Sequence, residues 1–355
     1  MGLPRADELE LSVFGPGRGE CIVAHLGENS WMVIDSCLDA KGNPVALSYF
    51  ELLGVNPSTD VKIVVASHWH DDHIRGMAEL LKACGTAKFV CSEALSLAEF
   101  ASLCEVSYAT RLVKHTSGSY ELAKIFKEVR PDGADVWASE NKVISITNLG
   151  GVEVKVEALS PSAFVQATAK VHLASLMPQA GEPFRRFPDH SPNDLSVVVR
   201  VTYGDDAFVL GGDLEVLEDD RAGWRAILKN DLPFKKASAY KVSHHGSPNA
   251  HLDDIWTTIL KPNAISVLAP YASLKVPRPR LEDRDRIKAL TNNVYCTKWP
   301  PSGNSYPRSK PVERSIRESA KQLVSVDQIP GHVRIRIVAG RDPHEVALYN
   351  GATQL

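Results

Sequence analysis

Six consecutive residues, His68-Trp69-His70-Asp71-Asp72-His73, hold three imidazoles and two carboxylates. They follow KIVVAS, an apolar run of strand length, and precede IRGMAELLKA (74–83), whose spacing predicts a helix. Five such groups cannot be buried together unless a cation compensates them, and they are too concentrated for an ordinary solvated loop. Neutral imidazole is a good donor to zinc and similar metals, and carboxylate supplies the balancing charge. In an extended segment His68 and His70 project to the same side and can grip one ion together. Asp72 and His73 then turn toward a second position. Any fold for this chain must deliver the hexapeptide at the end of a buried strand.

The remaining pattern supplies such strands. LELSVF, CIVAHLG and WMVID are short and β-rich, split by the turn signals GPGRG and GENS. A helix is expected at about 44–53, a buried strand at KFVCS, and mostly helix over 92–130. VISIT and VEVKVEAL return to strand, a helix is expected near 161–176, and LSVVVRVTYG and DAFVLGGD form a strand pair. Helix near 216–229, strand ASAYKVS, helix 252–260, strand AISVLA, helix 281–290 and strand VYCTKW follow. PPSGNSYPRSKPV reads as a linker, and HVRIRIVAG with EVALYN as a hairpin. Two clusters of strands, each followed by strand–helix alternation, predict an α/β (α+β) chain of two packed sheets with helices outside.

Three further motifs sit where strands stop. Val209-Leu210-Gly211-Gly212-Asp213 ends an apolar strand in two glycines and one carboxylate able to bridge two cations. Alone it reads more readily as a strand-to-helix turn with an N-capping Asp. Ser243-His244-His245-Gly246-Ser247 closes another strand, and Ile34-Asp35-Ser36 a fourth. The six cysteines, Cys21, Cys37, Cys84, Cys91, Cys104 and Cys296, are scattered with no C-x-x-C, so they read as reduced, buried thiols of a cytoplasmic protein. No apolar run reaches the roughly 20 residues of a membrane span. The start, MGLPRADELELSVF, has no signal-peptide pattern, so neither export nor membrane attachment is expected. Between 271 and 340 there are 14 Lys/Arg against 6 Asp/Glu in a chain of net −3, which leaves −11 on the rest. A basic third attracts polyanions. However, Arg284, Arg286 and Lys288 interleave with Glu282, Asp283 and Asp285, which is also the pattern of a solvated helix.

Taken in chain order, Asp35, the hexapeptide, Asp213 and the HHGS histidines resemble the motifs of the metallo-β-lactamase superfamily. The hexapeptide matches its H-x-H-x-D-H pattern without a gap, and the resemblance spans about residues 8–300. It implies an αββα sandwich of two mixed β-sheets with helices on both outer faces. It also implies a site for two divalent ions, zinc first and manganese as the alternative. On that pattern residues 1–300 form the hydrolase domain with a helical insertion at about 92–130, and 301–355 a C-terminal extension with a hairpin packed on it. The insertion is too short for the large cap of the superfamily's RNA-processing branch. GPGRGEC, Asn193 to Ser196 before an apolar strand, GGDLE and HHGS are similar to the hydrolase domain of the bacterial competence DNA-uptake channel protein and its soluble relatives. Those relatives act mainly on phosphodiesters.

By the resemblance, His68 and His70 hold the first metal, Asp72, His73 and His245 the second, and Asp213 bridges. Asp35 accepts a hydrogen bond from a ligand imidazole, and His244 faces substrate. The choice between His244 and His245 as ligand stays open from sequence, with His245 preferred. The superfamily supplies one more histidine before the bridging Asp. Here His190, His172 or the amide oxygen of Asn193 are the stand-ins, and an amide oxygen suits manganese better than zinc. The implied reaction is hydrolysis by water activated between two cations. A phosphodiesterase or nuclease leads, with nucleic acid as its partner. The alternatives are a hydrolase of a small ester, lactone, amide or thioester, and a metal-bound scaffold subunit without turnover. A protein partner or homo-oligomer is left open.

Overall fold

The computed structural model describes residues 1–5, 7–15, 19–96, 100, 117–175, 192–230, 235–271, 277–299, 309–319, 329–338 and 344–355. The strands are β1 (Glu8–Gly15), β2 (Cys21–His25), β3 (Trp31–Ile34), β4 (Val61–Val65), β5 (Lys88–Ser92), β6 (Val136–Ala138), β7 (Lys142–Leu149), β8 (Val152–Ala158), β9 (Val199–Tyr203), β10 (Asp206–Leu210), β11 (Ala237–Lys241), β12 (Leu260–Leu268), β13 (Val294–Cys296), β14 (Gly331–Val338), β15 (Glu345–Tyr349) and β16 (Thr353–Gln354). They form two eight-stranded sheets, ordered β15-β14-β1-β2-β3-β4-β5-β6 and β16-β13-β12-β11-β10-β9-β8-β7. Both are mixed. Pairing is antiparallel through β1–β2–β3 and β7 to β10, and parallel through β3–β4–β5–β6 and β10 to β13.

Strand alternation builds three apolar layers. Leu9, Leu11 and Val13 of β1 and Ile22 and Ala24 of β2 meet Val154, Val156, Val199, Val201, Phe208 and Leu210 between the sheets. Their alternates Cys21 and Val23 pack outward with Tyr49 and Phe50 of α1 (Val45–Leu53) and with Met77, Leu80 and Leu81 of α2 (Met77–Ala83). α3 (Gly118–Lys124) and α4 (Ala163–Ser175) cover the same face through Leu122, Val165 and Leu173. On the opposite face Ala207, Val209 and Tyr240 pack with Trp224 and Ile227 of α5 (Gly223–Leu228) and Ile287 of α6 (Leu281–Lys288). Each fully buried Val, Leu or Ile contributes about 1.5–3 kcal/mol. A one-residue slip in any strand would exchange its two faces, so register is strongly specified. The result is the αββα sandwich of the metallo-β-lactamase fold.

Some elements depart from expectation. The helix expected near 216–229 starts only at Gly223, whose φ of +57° breaks the preceding turn. A Cβ there would overlap the Glu215 carbonyl. The helix expected at 252–260 is a single wide turn, Ile255–Ile259, because β12 starts at Leu260. Of the 92–130 stretch, Glu93–Leu95 is a short turn and α3 continues as a wider turn to Val129; 97–99 and 101–116 lie outside the described residues. Cys21, Cys37, Cys84, Cys91 and Cys296 are free and buried, while Cys104 lies outside the described residues. Burial pushes the Cys84 and Cys296 thiols up to about 12, so they are unreactive packing groups. Among the described residues no helix is long and apolar enough to cross a membrane.

The chain's last strands return to both sheets. β14 pairs antiparallel with all of β1, from Glu8↔Val338 to Gly15↔Gly331, and β16 pairs with β13. Gly331 presses on the backbone after β13, where a Cβ would overlap the Thr297 carbonyl oxygen. Gly331→Ala should therefore destabilise the fold by about 3 kcal/mol, since neither backbone can give way cheaply. Urea unfolding checks this, and an unchanged midpoint would refute the tight joint.

Candidate metal centre

The four motifs converge at one rim of the sandwich because each follows a strand whose backbone is fixed by a sheet. Asp35 follows β3, the hexapeptide β4, Asp213 β10 and the histidine pair β11. Glycine permits the close approach of the last two. A Cβ on Gly211 would overlap Ser243 Oγ, Gly212 has φ +50°, and His244 N–H donates to Gly212 O at 3.0 Å. His244 and His245 themselves sit at φ +47° and +54°, unusual for residues with a Cβ and typical of functional turns.

Three groups have their ligand atoms within 4.8 Å of one another: Asp72, His73, Asp213 and His245; His68, His70 and Asp213; and, on the Nδ1 side of His73, Glu20, Asp35 and His73. The first two are the donor sets of the centre. Asp213 belongs to both. His245 Nε2 lies 3.0 Å from Asp72 Oδ2 and 3.3 Å from Asp213 Oδ2; His73 Nε2 lies 3.3 Å from Asp213 Oδ1. His73 Nε2 and Asp213 Oδ1 are buried with no hydrogen-bond partner. Two orphaned buried acceptors facing each other, a ring-nitrogen lone pair and a carboxylate oxygen, are what a cation-binding site looks like before an ion is counted.

The imidazoles are oriented from behind. Asp35 Oδ2 accepts from His73 Nδ1 at 2.7 Å and from Ser67 Oγ at 2.7 Å, while its Oδ1 accepts from Ser67 N at 2.8 Å. With its hydroxyl proton on Asp35, Ser67 Oγ accepts from His68 Nδ1 at 3.0 Å. His245 Nδ1 donates to Ala269 O at 2.8 Å. Each of these three rings thus carries its proton on Nδ1 and turns the Nε2 lone pair into the centre. Asp71 points elsewhere: its carboxylate accepts from Gly118 N and Arg75, tying the loop to α3.

Charge shapes the site as strongly as geometry. Burial opposes a proton on His245, but the Asp213 and Asp72 carboxylates outweigh it and push the ring up to about 10. His73 is likewise raised against burial by Asp213, Glu20 and Asp72. His68 is held well below its ordinary value by burial and by His73. Burial also opposes ionisation of Asp213, yet His245 and His73 hold it well below the carboxylate range. The carboxylates thus make this rim attractive to positive charge.

Several residues in this centre carried no assigned role in the sequence. Glu20 and Lys241 are fully buried and paired, Oε2 to Nζ, at 2.5 Å. Glu20 also lies 3.7 Å from His73 Nδ1 and 3.6 Å from His245 Nδ1. Glu215 Oε1 accepts from Asn193 Nδ2 at 2.7 Å and lies 3.2 Å from His244 Nδ1. Asn193 Oδ1 is buried with no hydrogen-bond partner. Burial and the Glu215 carboxylate push neighbouring Asp194 up to about 6. Tyr271 stacks on His245, with ring centroids 5.5 Å apart. The signals were present, since Glu20 ends GPGRGE, Glu215 ends GGDLE, and Lys241 interrupts an apolar strand. His172, on α4, joins neither donor set, and His190 lies outside the described residues. His244 is the half-buried rim residue, its Nε2 4.0 Å from Asp213 Oδ2.

An αββα sandwich carrying this histidine–aspartate cluster at its strand ends is a metallo-β-lactamase-fold protein. A family model described as the metallo-beta-lactamase superfamily matches residues 14–143, which include Asp35 and the hexapeptide. Asp213 and His245 lie beyond the matched segment. No curated protein matches the chain. Among solved structures, the flavodiiron protein from Giardia intestinalis is 16% identical, with a TM-score of 0.28 over 56% of this chain and 34% of that one. The rubredoxin oxygen:oxidoreductase of Desulfovibrio gigas is 12% identical, at 0.31 over 59% and 40%. Zinc-bound PqqB from Methylobacterium extorquens is 11% identical, at 0.31 over 63% and 59%. The match thus spans less than two thirds of each of these three proteins.

Proposed function

We propose that this chain is a metal-dependent hydrolase acting on phosphodiesters, as a nuclease or phosphodiesterase. The observation that carries the hydrolase reading is the pair of donor sets sharing Asp213, with orphaned buried atoms turned into both. His68 and His70 would hold one divalent ion, Asp72, His73 and His245 the other, and Asp213 both. Zinc suits the imidazole-rich set. Asn193, its amide nitrogen held by Glu215, has a buried amide oxygen left for a ligand or substrate contact, and as a ligand it favours manganese. When bound, two such ions activate water and neutralise charge at the attacked centre.

The chain's own groups do the rest. Asp35 holds the imidazoles of both donor sets through one carboxylate. His244 is the partly exposed polar ring at the rim, so it is the group that reaches a phosphate oxygen or a leaving-group oxygen. Its Nδ1 faces Glu215 Oε1, which presents Nε2 to the substrate. The sequence pattern shared with the DNA-uptake hydrolase domain favours a phosphodiester. One observation favours a small uncharged ester, lactone, amide or thioester instead. Arg278, Arg280, Arg284 and Arg286 each pair with a carboxylate, respectively Asp283, Glu282, Asp285 and Asp283, so the basic third is compensated there.

Salt and substrate scope separate these. With manganese or zinc, the full chain is expected to cleave end-labelled single- or double-stranded DNA or RNA. Its affinity for the polymer should fall with rising salt as phosphate contacts release counterions. A chain that holds two ions, cleaves no polymer and hydrolyses small esters independently of salt would overturn the phosphodiester reading.

A further inference from the structure

Beneath the proposed ion positions lies a charge pair outside the two donor sets that share Asp213. Glu20 enters from the sheet containing β1 to β6 and Lys241 from the other sheet. Both side chains lie toward the space between the sheets: Glu20 precedes Cys21, which faces outward, and Lys241 follows Ala239 on the inter-sheet face. Lys241 Nζ donates to Gly212 O at 3.2 Å and stands 3.9 Å from Asp213 Oδ1, so it anchors the turn that delivers the bridging carboxylate. Glu20 N–H donates to Asp72 O at 3.0 Å, so the loop before β2 also braces the hexapeptide. The ammonium of Lys241 thus stands between the carboxylates of Glu20 and Asp213, and Glu20 groups with Asp35 on the Nδ1 side of His73.

We propose that Glu20 and Lys241 are a positioning pair that tunes this centre's affinity for divalent ions: Lys241 holds the Asp213 turn in place, and Glu20 cancels the cost its ammonium would impose on an ion beside Asp213. A lone buried ammonium that close to a bridging carboxylate competes directly with a metal ion for it. A lone buried carboxylate behind two ligand imidazoles is costly for the fold. Only the pair satisfies both demands, which explains why two buried charges appear together behind the ligands. The inference rests on the metal reading above.

The test measures zinc affinity of the full chain by competition with a chromogenic chelator, so it does not depend on finding a substrate. Glu20→Gln keeps the shape and removes the charge, and should weaken zinc binding about 10- to 100-fold, the range seen when groups behind metal ligands are lost. Adding Lys241→Met should restore part of the lost affinity, because the uncompensated ammonium goes with it, and leave the double variant below wild type because the anchor on Gly212 O is lost. Glu20→Asp, which keeps the charge but shortens the arm, should bind better than Glu20→Gln. Circular dichroism and thermal unfolding establish that each variant is folded, and the Glu20→Asp and Glu20→Gln comparison stands if the double variant is not. A double variant weaker than Glu20→Gln, or Glu20→Asp weaker than Glu20→Gln, would reduce the pair to packing and overturn the proposal. A wild type that binds no zinc overturns the metal reading itself, whereas zinc binding that is equal in all variants overturns only the role of the pair.

Discussion

Asp213→Ala is expected to cut hydrolysis by at least about a thousandfold and to reduce the bound ions from two to one or none. The reason is its place in both donor sets. Without Asp213, one position keeps three donors, Asp72, His73 and His245, and the other keeps only His68 and His70. Two imidazoles hold a divalent ion poorly, so the second set should empty first. The charge argument points the same way. His73 and His245 are raised by carboxylates of which Asp213 is the largest contributor, so its loss removes the attraction that draws cations to this rim.

The expected result has a thermodynamic counterpart independent of substrate. An ion that binds only the folded chain stabilises it by about 2.7 kcal/mol at a hundredfold excess over its Kd. Wild type should therefore gain thermal stability on adding zinc, and Asp213→Ala should lose most of that gain. Metal content after dialysis and the zinc-dependent shift in Tm are the two readings. An alanine variant that keeps two ions and an unaltered rate would remove Asp213 from the centre altogether.

Why this much was readable from sequence is itself physical. Metal chemistry needs donors that are rare inside proteins, and the chain concentrates them where strands end, so HWHDDH, GGD, HHGS and the Asp after β3 stand out. The strands were equally plain: LELSVF alternates, while CIVAH and DAFVL are largely apolar throughout because both faces of those strands are buried. What stayed hidden was of two kinds. β6 and β16, at three and two residues, are too short to show a period. Glu20, Lys241, Ser67 and Glu215 are single polar residues beside apolar runs or at motif ends, and the local pattern does not say which groups each will meet. Their roles come from the register that brings β2, β4, β10 and β11 to one rim, and register is a property of both sheets at once. Asn193 lies between these cases. Its N-x-x-S context flagged it, but only the Glu215 contact shows which way its amide is turned.

A second large effect lies away from the metal centre, on β14. Acid should unfold this protein partly through His332, which is 1% exposed and stacks between Phe14 and Tyr349, with ring centroids 4.2 and 5.1 Å away. Its Nε2 meets Ser12 Oγ at 2.9 Å, and its Nδ1 is buried with no partner. Burial, and then the nearby Arg334 guanidinium, hold the ring down to about 3, against an ordinary value of 6.5. The sign follows from linkage. Between those two values the unfolded chain binds a proton that the folded chain refuses, so stability is full above pH 6.5 and falls as pH drops toward 3. The slope approaches about 1.4 kcal/mol per pH unit and accumulates to roughly 4–5 kcal/mol, a large share of a typical domain's stability. Because the metal ligands also titrate, the measurement is a comparison: urea unfolding of wild type and His332→Phe, both with chelator, from pH 8 to pH 4. Phenylalanine keeps the ring between Phe14 and Tyr349 and leaves Ser12 bonded to Glu10, so the variant should lose about 1 kcal/mol at pH 8. Below pH 6 its curve should run flatter than that of wild type and cross it. Parallel curves would show that His332 is not the buried group refusing the proton, and acid sensitivity would then belong to the carboxylate cluster alone.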